Sequence, residues 1–267
     1  MSSRGSTIHE AARGFEHAPK PYEIGRPPYP LEAIERLVAE LGIEDGRRVL
    51  DLAAGTGKLT RLLVPTGAFV VAVEPVEAMR AALTKSLPQV EAVAGTAEAI
   101  PLPDGSVDAV TVGQAFHWFD GDAALAEIHR VLRPGGRLGL IWNVKDESVD
   151  WIEKLGGIME AYRGAAPRMA SGAWKEAFDR NELFTPLQRA RFSFVHEADF
   201  AAVVARVTSV SFIAALPPAE FARVVDQVRT LLATHPETKG RSTFELPYRT
   251  GVYWCTRARP SSAGARR

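Results

Sequence analysis

The chain has 267 residues, 46% hydrophobic and 24% charged, with 32 basic residues balancing 32 acidic ones, which suits one large α/β domain or a domain with a small cap. Zero net charge lacks the concentrated basic face of a nucleic-acid binder, and the lone Cys255 excludes an intrachain disulfide framework and suits a reducing cytosol. No apolar run reaches membrane-spanning length and the start Met1-Ser2-Ser3-Arg4 has no signal-peptide core, so the expectation is a cytoplasmic protein with neither nucleic acid nor membrane as partner.

In chain order, residues 1 to about 15 are polar, and residues 15–30 are rich in proline and aromatics, which excludes a regular helix or a central strand. Leu31, Ile34, Leu37, Val38 and Leu41 recur at helical spacing and Gly42 supplies a stop. An alternation follows: strand 48–52, helix 58–64, strand 69–73, helix 76–85, strands 90–94 and 107–113, helix 121–131 and strand 137–142. Strands separated by helices predict parallel pairing with right-handed crossovers. Beyond Asn143 the rhythm changes to helices 149–163 and 173–181, a strand near 190–196, helices 198–206 and 218–233, and a last strand 244–256 interrupted around residues 249–251. The arginine-bearing tail 257–267 has the composition of a disordered segment.

The segment from Val49 to Gly57 reads as a buried strand breaking into a glycine turn, and the run Phe69 to Val73 as the next parallel strand, with Glu74 at its tip. Close backbone approach at the glycines and an acid for ribose hydroxyls are how a doubly wound sheet holds an adenosine-type ligand. Gly55-Thr56-Gly57-Lys58 is no P-loop, because Leu52 and Leu59 stand where that motif needs glycine and Ser or Thr. A dinucleotide fingerprint would want a third small residue where Thr60 stands, and the Asp51 carboxylate beneath the turn would repel a pyrophosphate but suit an ammonium group. No histidine spacing suggests a metal site.

Here the chain resembles the class I S-adenosylmethionine-dependent methyltransferases. Residues 51–57 look like their first motif, with Ala53 where most members carry glycine, and Glu74 like their ribose-binding acid. Residues 95–103 resemble the adenine loop, residues 104–108 the approach to strand four, and residues 132–136 the turn into strand five. The stretches 22–30 and 114–119 resemble a small-molecule subgroup that includes the trans-aconitate methyltransferase-like proteins. The resemblance implies a doubly wound, mostly parallel seven-stranded Rossmann-like sheet with helices on both faces and an antiparallel last strand. The domains expected are an arm or flap over residues 1–30 and a methyltransferase domain over 31–256, with core 45–142 and substrate-side helices about 149–185 and 198–233.

The cofactor implied is S-adenosyl-L-methionine, with Tyr22, Arg26, Asp51, Ala53, Gly55, Thr56, Gly57, Glu74, Pro75, Met79, Thr96, Ala97, Glu98, Gln114, Ala115, His117 and Trp118 as its contacts. Arg26 would meet the methionine carboxylate, and Asp51 its ammonium directly or through water. Met79 reads as an adenine contact or a core residue, Glu98 as a cofactor contact or a solvated carboxylate. Phe116 and Trp118 would shield the sulfonium or pack helix to sheet. Tyr29, Trp142 and Asn143 are candidates for the substrate pocket, to which Trp151, Tyr162 and Trp174 could add a wall. His117 is the candidate base or orienting residue. The partner implied is a small-molecule methyl acceptor, a carboxylate or hydroxyl, with the chain a monomer or homodimer. A nucleoside-binding regulator without turnover and an NAD-dependent oxidoreductase are the competing readings.

Overall fold

Strand β1 (Arg48–Leu52) alternates its side chains between two cores: Val49 packs beneath α1 (Leu31–Leu41), while Leu50 and Leu52 face α4 (Gly121–Val131). A computed structural model describes residues 23–258 of the chain, so Tyr22 and the tail beyond Ala258 lie outside the described residues. Its sheet runs β3-β2-β1-β4-β5-β7-β6. The remaining strands are β2 (Phe69–Val73), β3 (Glu91–Val93), β4 (Val107–Gly113), β5 (Leu132–Lys145), β6 (Gln188–Asp199) and β7 (Thr243–Thr256). Strands β1 to β5 pair in parallel, and β7 is antiparallel to both β5 and β6. Chain order reverses between β1 and β4, and a doubly wound sheet opens its ligand crevice at that point, outside the carboxyl ends of the strands.

The other helices are α2 (Thr60–Leu63), α3 (Glu77–Ser86), α5 (Asp150–Glu160), α6 (Glu176–Arg180), α7 (Phe200–Thr208), α8 (Ser211–Ala214) and α9 (Pro218–Thr234). Local chemistry sets several ends. Asp120 accepts from the Ala123 amide at the start of α4, Asp199 does the same for Ala202 at α7, and Gly42 closes α1 at φ 63°. The helix expected from residue 58 begins only at Thr60, because the glycine turn extends through Leu59.

Tertiary pairing lengthens the last three strands beyond the sequence expectation. β5 continues to Lys145 because β7 pairs with it that far, Lys145 opposite Tyr248. The expected break at residues 249–251 is absent, since Arg249, Thr250 and Gly251 pair with β5 on one side and β6 on the other. The carboxyl end of β6 and the first half of β7 join α5, α7, α8 and α9 around a second core of Trp151, Leu155, Val203, Val207, Val228 and Tyr248. The segment holding α6 is not part of that layer. Trp174 and Ala177 pack into the main sheet core beside Phe116 instead.

Candidate active site

The turn after β1 is built on strained backbone. Ala53 (φ 55°) and Gln114 (φ 62°) are the two non-glycine residues with positive φ among the described residues, and they follow the adjacent strands β1 and β4. A left-handed conformation costs a residue with a Cβ about 1–2 kcal/mol, and such strain concentrates at binding sites. Gly55 (φ 59°) and Gly57 (φ 85°) complete the turn. A Cβ on Gly55 would meet no atom within 4 Å, so that backbone faces open space. A Cβ on Gly57 would come to 3.0–3.1 Å from Leu87 and Leu83, so Gly57 serves the packing of α3.

Two buried carboxylates hold this turn. Asp51, 1% exposed, accepts from the hydroxyls of Thr60 (2.6 Å) and Thr111 (3.0 Å). Burial raises its pKa to about 6 against the lowering effect of those hydroxyls. Asp51 therefore lies beneath the turn and bonds to the first residue of α2 and to β4. Glu74 accepts from the amides of Gly55 (2.9 Å) and Val76 (2.8 Å), tying the turn to the start of α3. Its pKa is raised, chiefly by burial. An ionised carboxylate has about four acceptor sites, so lone pairs remain for hydroxyls in the crevice.

Residues 23–28 of the arm bond to the turn and to β5, and Glu23 and Lys58 in these contacts carry no sequence signal. The Thr56 hydroxyl donates to the Glu23 carboxylate, and Lys58 Nζ donates to the carbonyls of Glu23 (2.9 Å) and Arg26 (3.0 Å). Asn143 Nδ2 donates to the Pro28 carbonyl (2.9 Å) and its Oδ1 accepts from Thr250 (2.6 Å), so Asn143 clasps the arm. The Tyr29 hydroxyl lies 2.9 Å from where a Cβ on Gly113 would stand. A Cβ on Gly25 would stand 2.2 Å from the Arg206 amide of α7, so only glycine lets the arm pass beneath that helix.

The loop after β3 is fixed by α4. Glu127 accepts from the Ile100 amide, and Arg130 donates to the carbonyls of Ile100 (2.9 Å) and Leu102 (2.8 Å). Thr96 and Ala97 lie on this loop, the Ala97 methyl buried in the sheet core. Glu98 accepts from the Asp120 amide (3.1 Å), so it fastens two loops together. Met79 is buried on α3, and Pro75 carries the chain out of β2 behind Glu74.

After β4, Gln114 donates its amide to Ile141, and Ala115 packs on the sheet core. Phe116 is buried against Phe119, Trp174 and Phe178. His117 and Trp118 lie beside each other, their rings 5.3 Å apart. Trp142, 1% exposed, packs on Trp174 and Tyr253. Its indole N–H donates to His117 Nδ1 (3.4 Å). Burial, then the charges of Arg26 and Arg163, push the His117 pKa down to about 4. A neutral imidazole whose Nδ1 accepts carries its proton on Nε2, so in this arrangement His117 presents a donor. Trp151 and Trp174 are likewise core residues, and Tyr162 packs against the second core.

A group of cations at the end of β5 carries no sequence signal. Arg26, Arg163 and Arg206 act on Lys145, whose pKa falls to about 7, mainly through burial. Glu147 is the one opposing carboxylate that acts on it, and no ion pair joins the two among the described residues.

Residues 50–140 match the family described as a methyltransferase domain. An uncharacterized methyltransferase of Mycobacterium tuberculosis is 44% identical over 244 residues, covering 91% of this chain and 94% of the relative. The chain belongs to the methyltransferase family. An uncharacterized methyltransferase-like protein of Schizosaccharomyces pombe is 37% identical over 233 residues, covering 87% of this methyltransferase and 91% of that protein. The solved structure of the YcgJ protein of Bacillus subtilis aligns at a TM-score of 0.59 with 17% identity, covering 86% of this chain and 99% of that one, which shows the class I fold. A geranyl diphosphate methyltransferase solved in complex with S-adenosylmethionine aligns at 0.50 with 15% identity, covering 85% of each chain.

Proposed function

We propose that this methyltransferase takes S-adenosylmethionine as its donor and methylates a carboxylate oxygen of a small acceptor. The crevice fits that donor. The Gly55 backbone faces open space, Glu74 has lone pairs left for ribose hydroxyls, and the loop bearing Thr96 and Ala97 is fixed where adenine would lie. When bound, S-adenosylmethionine supplies a methyl carbon already activated by its sulfonium. The chain's part is then to align the acceptor, lower its solvation and exclude water, and alignment alone contributes up to about 7–11 kcal/mol.

Asp51 sets a negative charge beneath the turn, which suits a cationic amino-acid end and opposes a pyrophosphate. The buried Phe116 and Trp174 keep that side of the crevice dry, and the Nε2–H of His117 orients the acceptor by donating to it.

One observation carries the acceptor reading: the Trp142 indole bonded to His117 Nδ1. It prevents the crevice histidine from taking a proton, and a carboxylate needs none removed. A carboxylate oxygen forms the new C–O bond as the C–S bond breaks, the electron pair of that bond stays on sulfur, and no proton moves. Methyl transfer from labelled S-adenosylmethionine to a panel of small carboxylic acids, phenols and amines tests this. Alkali-labile methyl esters are expected. Alkali-stable methyl ethers or methylamines would overturn the acceptor assignment, and donor binding without turnover on any acceptor would favour a non-catalytic binder.

A further inference from the structure

We infer that Lys145, Arg206 and the Tyr248 hydroxyl form an oxyanion subsite that anchors a second, non-reacting acidic group of the acceptor. This rests on the carboxylate reading above and adds to it that the acceptor carries two anionic groups.

Lys145 ends β5 directly opposite Tyr248 of β7, which itself pairs with Phe194 of β6 and stacks on it at 5.5 Å. Directly paired residues share a sheet face, and Tyr248 belongs to the same core as Val203 and Val207 of α7. Arg206 comes from that helix. Three elements thus border the same core, Arg206 acts electrostatically on Lys145, and each element brings a polar group without a partner. Lys145 Nζ, Arg206 Nε and Nη1, and the Tyr248 hydroxyl are sealed from solvent with no hydrogen bond among the described residues.

An uncompensated buried ion costs several kcal/mol, and two cations facing each other add repulsion. Glu147 offsets this in part, since its carboxylate and Lys145 Nζ both lie beside Gly156 of α5, but the two form no hydrogen bond. An ammonium, a guanidinium fork and a hydroxyl together supply the donors that a carboxylate or phosphate group accepts. The position is also suitable. Arg206 and Tyr248 line a narrow cleft with Arg26, Lys58, Gln114 and Asn143, at the carboxyl edge of β4 and β5 where the His117 loop begins, and Lys145 lies outside that lining, on the strand position opposite Tyr248. The reacting carboxylate needs a free lone pair, and an oxygen held between two cations is a poor nucleophile. The anchored group is therefore a different one.

The test titrates succinate, glutarate, butyrate and inorganic phosphate calorimetrically into the full chain saturated with S-adenosylhomocysteine. The same titrations are run on Lys145→Met, Arg206→Met and Lys145→Arg. At least one of the two dicarboxylates, or phosphate, should bind the unaltered protein and lose at least tenfold in affinity in both Met variants. Lys145→Arg should retain most of the affinity, and butyrate should bind weakly throughout. Phosphate binding without dicarboxylate binding supports the subsite and assigns it a phosphorylated acceptor. Unchanged S-adenosylhomocysteine affinity in the variants shows that they fold. Anions that bind nowhere, or bind the variants equally, overturn the inference. So does a Lys145→Met enzyme that keeps anion affinity and loses turnover together with its rise at alkaline pH, because Lys145 would then be a base. If S-adenosylhomocysteine fails to bind the unaltered protein, the donor reading fails, and the same titrations without it decide the subsite.

Discussion

Replacing Lys145 by Met should stabilise the protein free of ligands while impairing it as an enzyme. The side chain keeps its length and apolar stem and loses a charge that burial, with Arg206, Arg26 and Arg163 nearby and only Glu147 opposing, holds at a pKa of about 7 instead of 10.5. That difference corresponds to roughly 5 kcal/mol between the two protonation states, an upper bound on the gain because the folded protein relaxes around the charge. The folded pKa is lowered, so the unfolded chain binds more protons between pH 7 and 10.5 and stability rises with pH over that range. Below pH 7 both states are charged and the full burden falls on the fold. Lys145→Met should therefore raise the unfolding free energy by about 2–4 kcal/mol at pH 6, with the gain shrinking toward zero by pH 10. Urea denaturation followed by tryptophan fluorescence at pH 6, 7.5, 9 and 10 measures this, and a bound dicarboxylate should narrow the gap by stabilising only the unaltered protein. A variant less stable than the parent at pH 6, or a difference independent of pH, would refute the reasoning.

Gly55→Ala should cost the free protein about 1–2 kcal/mol from its left-handed backbone and weaken S-adenosylhomocysteine binding more than tenfold, whereas Gly57→Ala should cost more stability because its Cβ would crowd Leu83 and Leu87. Paired denaturation and titration data that did not separate the two variants would contradict this division of roles. Asp51 has a raised folded pKa of about 6, so its contribution is present below 3.8 and lost as pH rises through 6. Asp51→Asn should gain on the parent by up to about 3 kcal/mol between pH 4 and 8, read from denaturation at both values, and it should bind S-adenosylhomocysteine more weakly. His117, with a folded pKa lowered to about 4, destabilises the fold as pH falls from 6.5 toward 4. Its ring protons should show no midpoint between pH 5.5 and 8 by NMR, and His117→Gln should abolish that part of the acid sensitivity.

The sequence conveyed the parallel half of the sheet well, because burial on both faces writes strands such as Val49–Leu52 and Phe69–Val73 as short apolar runs ahead of turn residues. It conveyed the antiparallel half less well. The register that carries β5 to Lys145 and β7 through Arg249, Thr250 and Gly251 is imposed by neighbouring strands rather than by local pattern. At the site, Glu74 and the glycine turn could be read because strand, turn and acid lie close together in sequence. Asp51 can be found from the sequence, but not its partners Thr60 and Thr111, which come from the next helix and from β4. For Trp142 and Trp174 the sequence leaves pocket wall and core both open, because composition alone does not say which face of an element an aromatic covers, and the structure packs the two rings on each other. Lys145 and Arg206 meet from a strand and a helix with no spacing between them to signal it.

The central claim is that the crevice over Gly55 and Glu74 receives the donor's amino-acid end and its ribose. Calorimetric titration of S-adenosylhomocysteine and NAD into the full chain and into Glu74→Gln tests it most directly. The account predicts one-to-one binding of S-adenosylhomocysteine to the unaltered protein, at least tenfold weaker binding to Glu74→Gln, and no binding of NAD to either. Equal affinity in the two proteins, or NAD bound in place of S-adenosylhomocysteine, would contradict it.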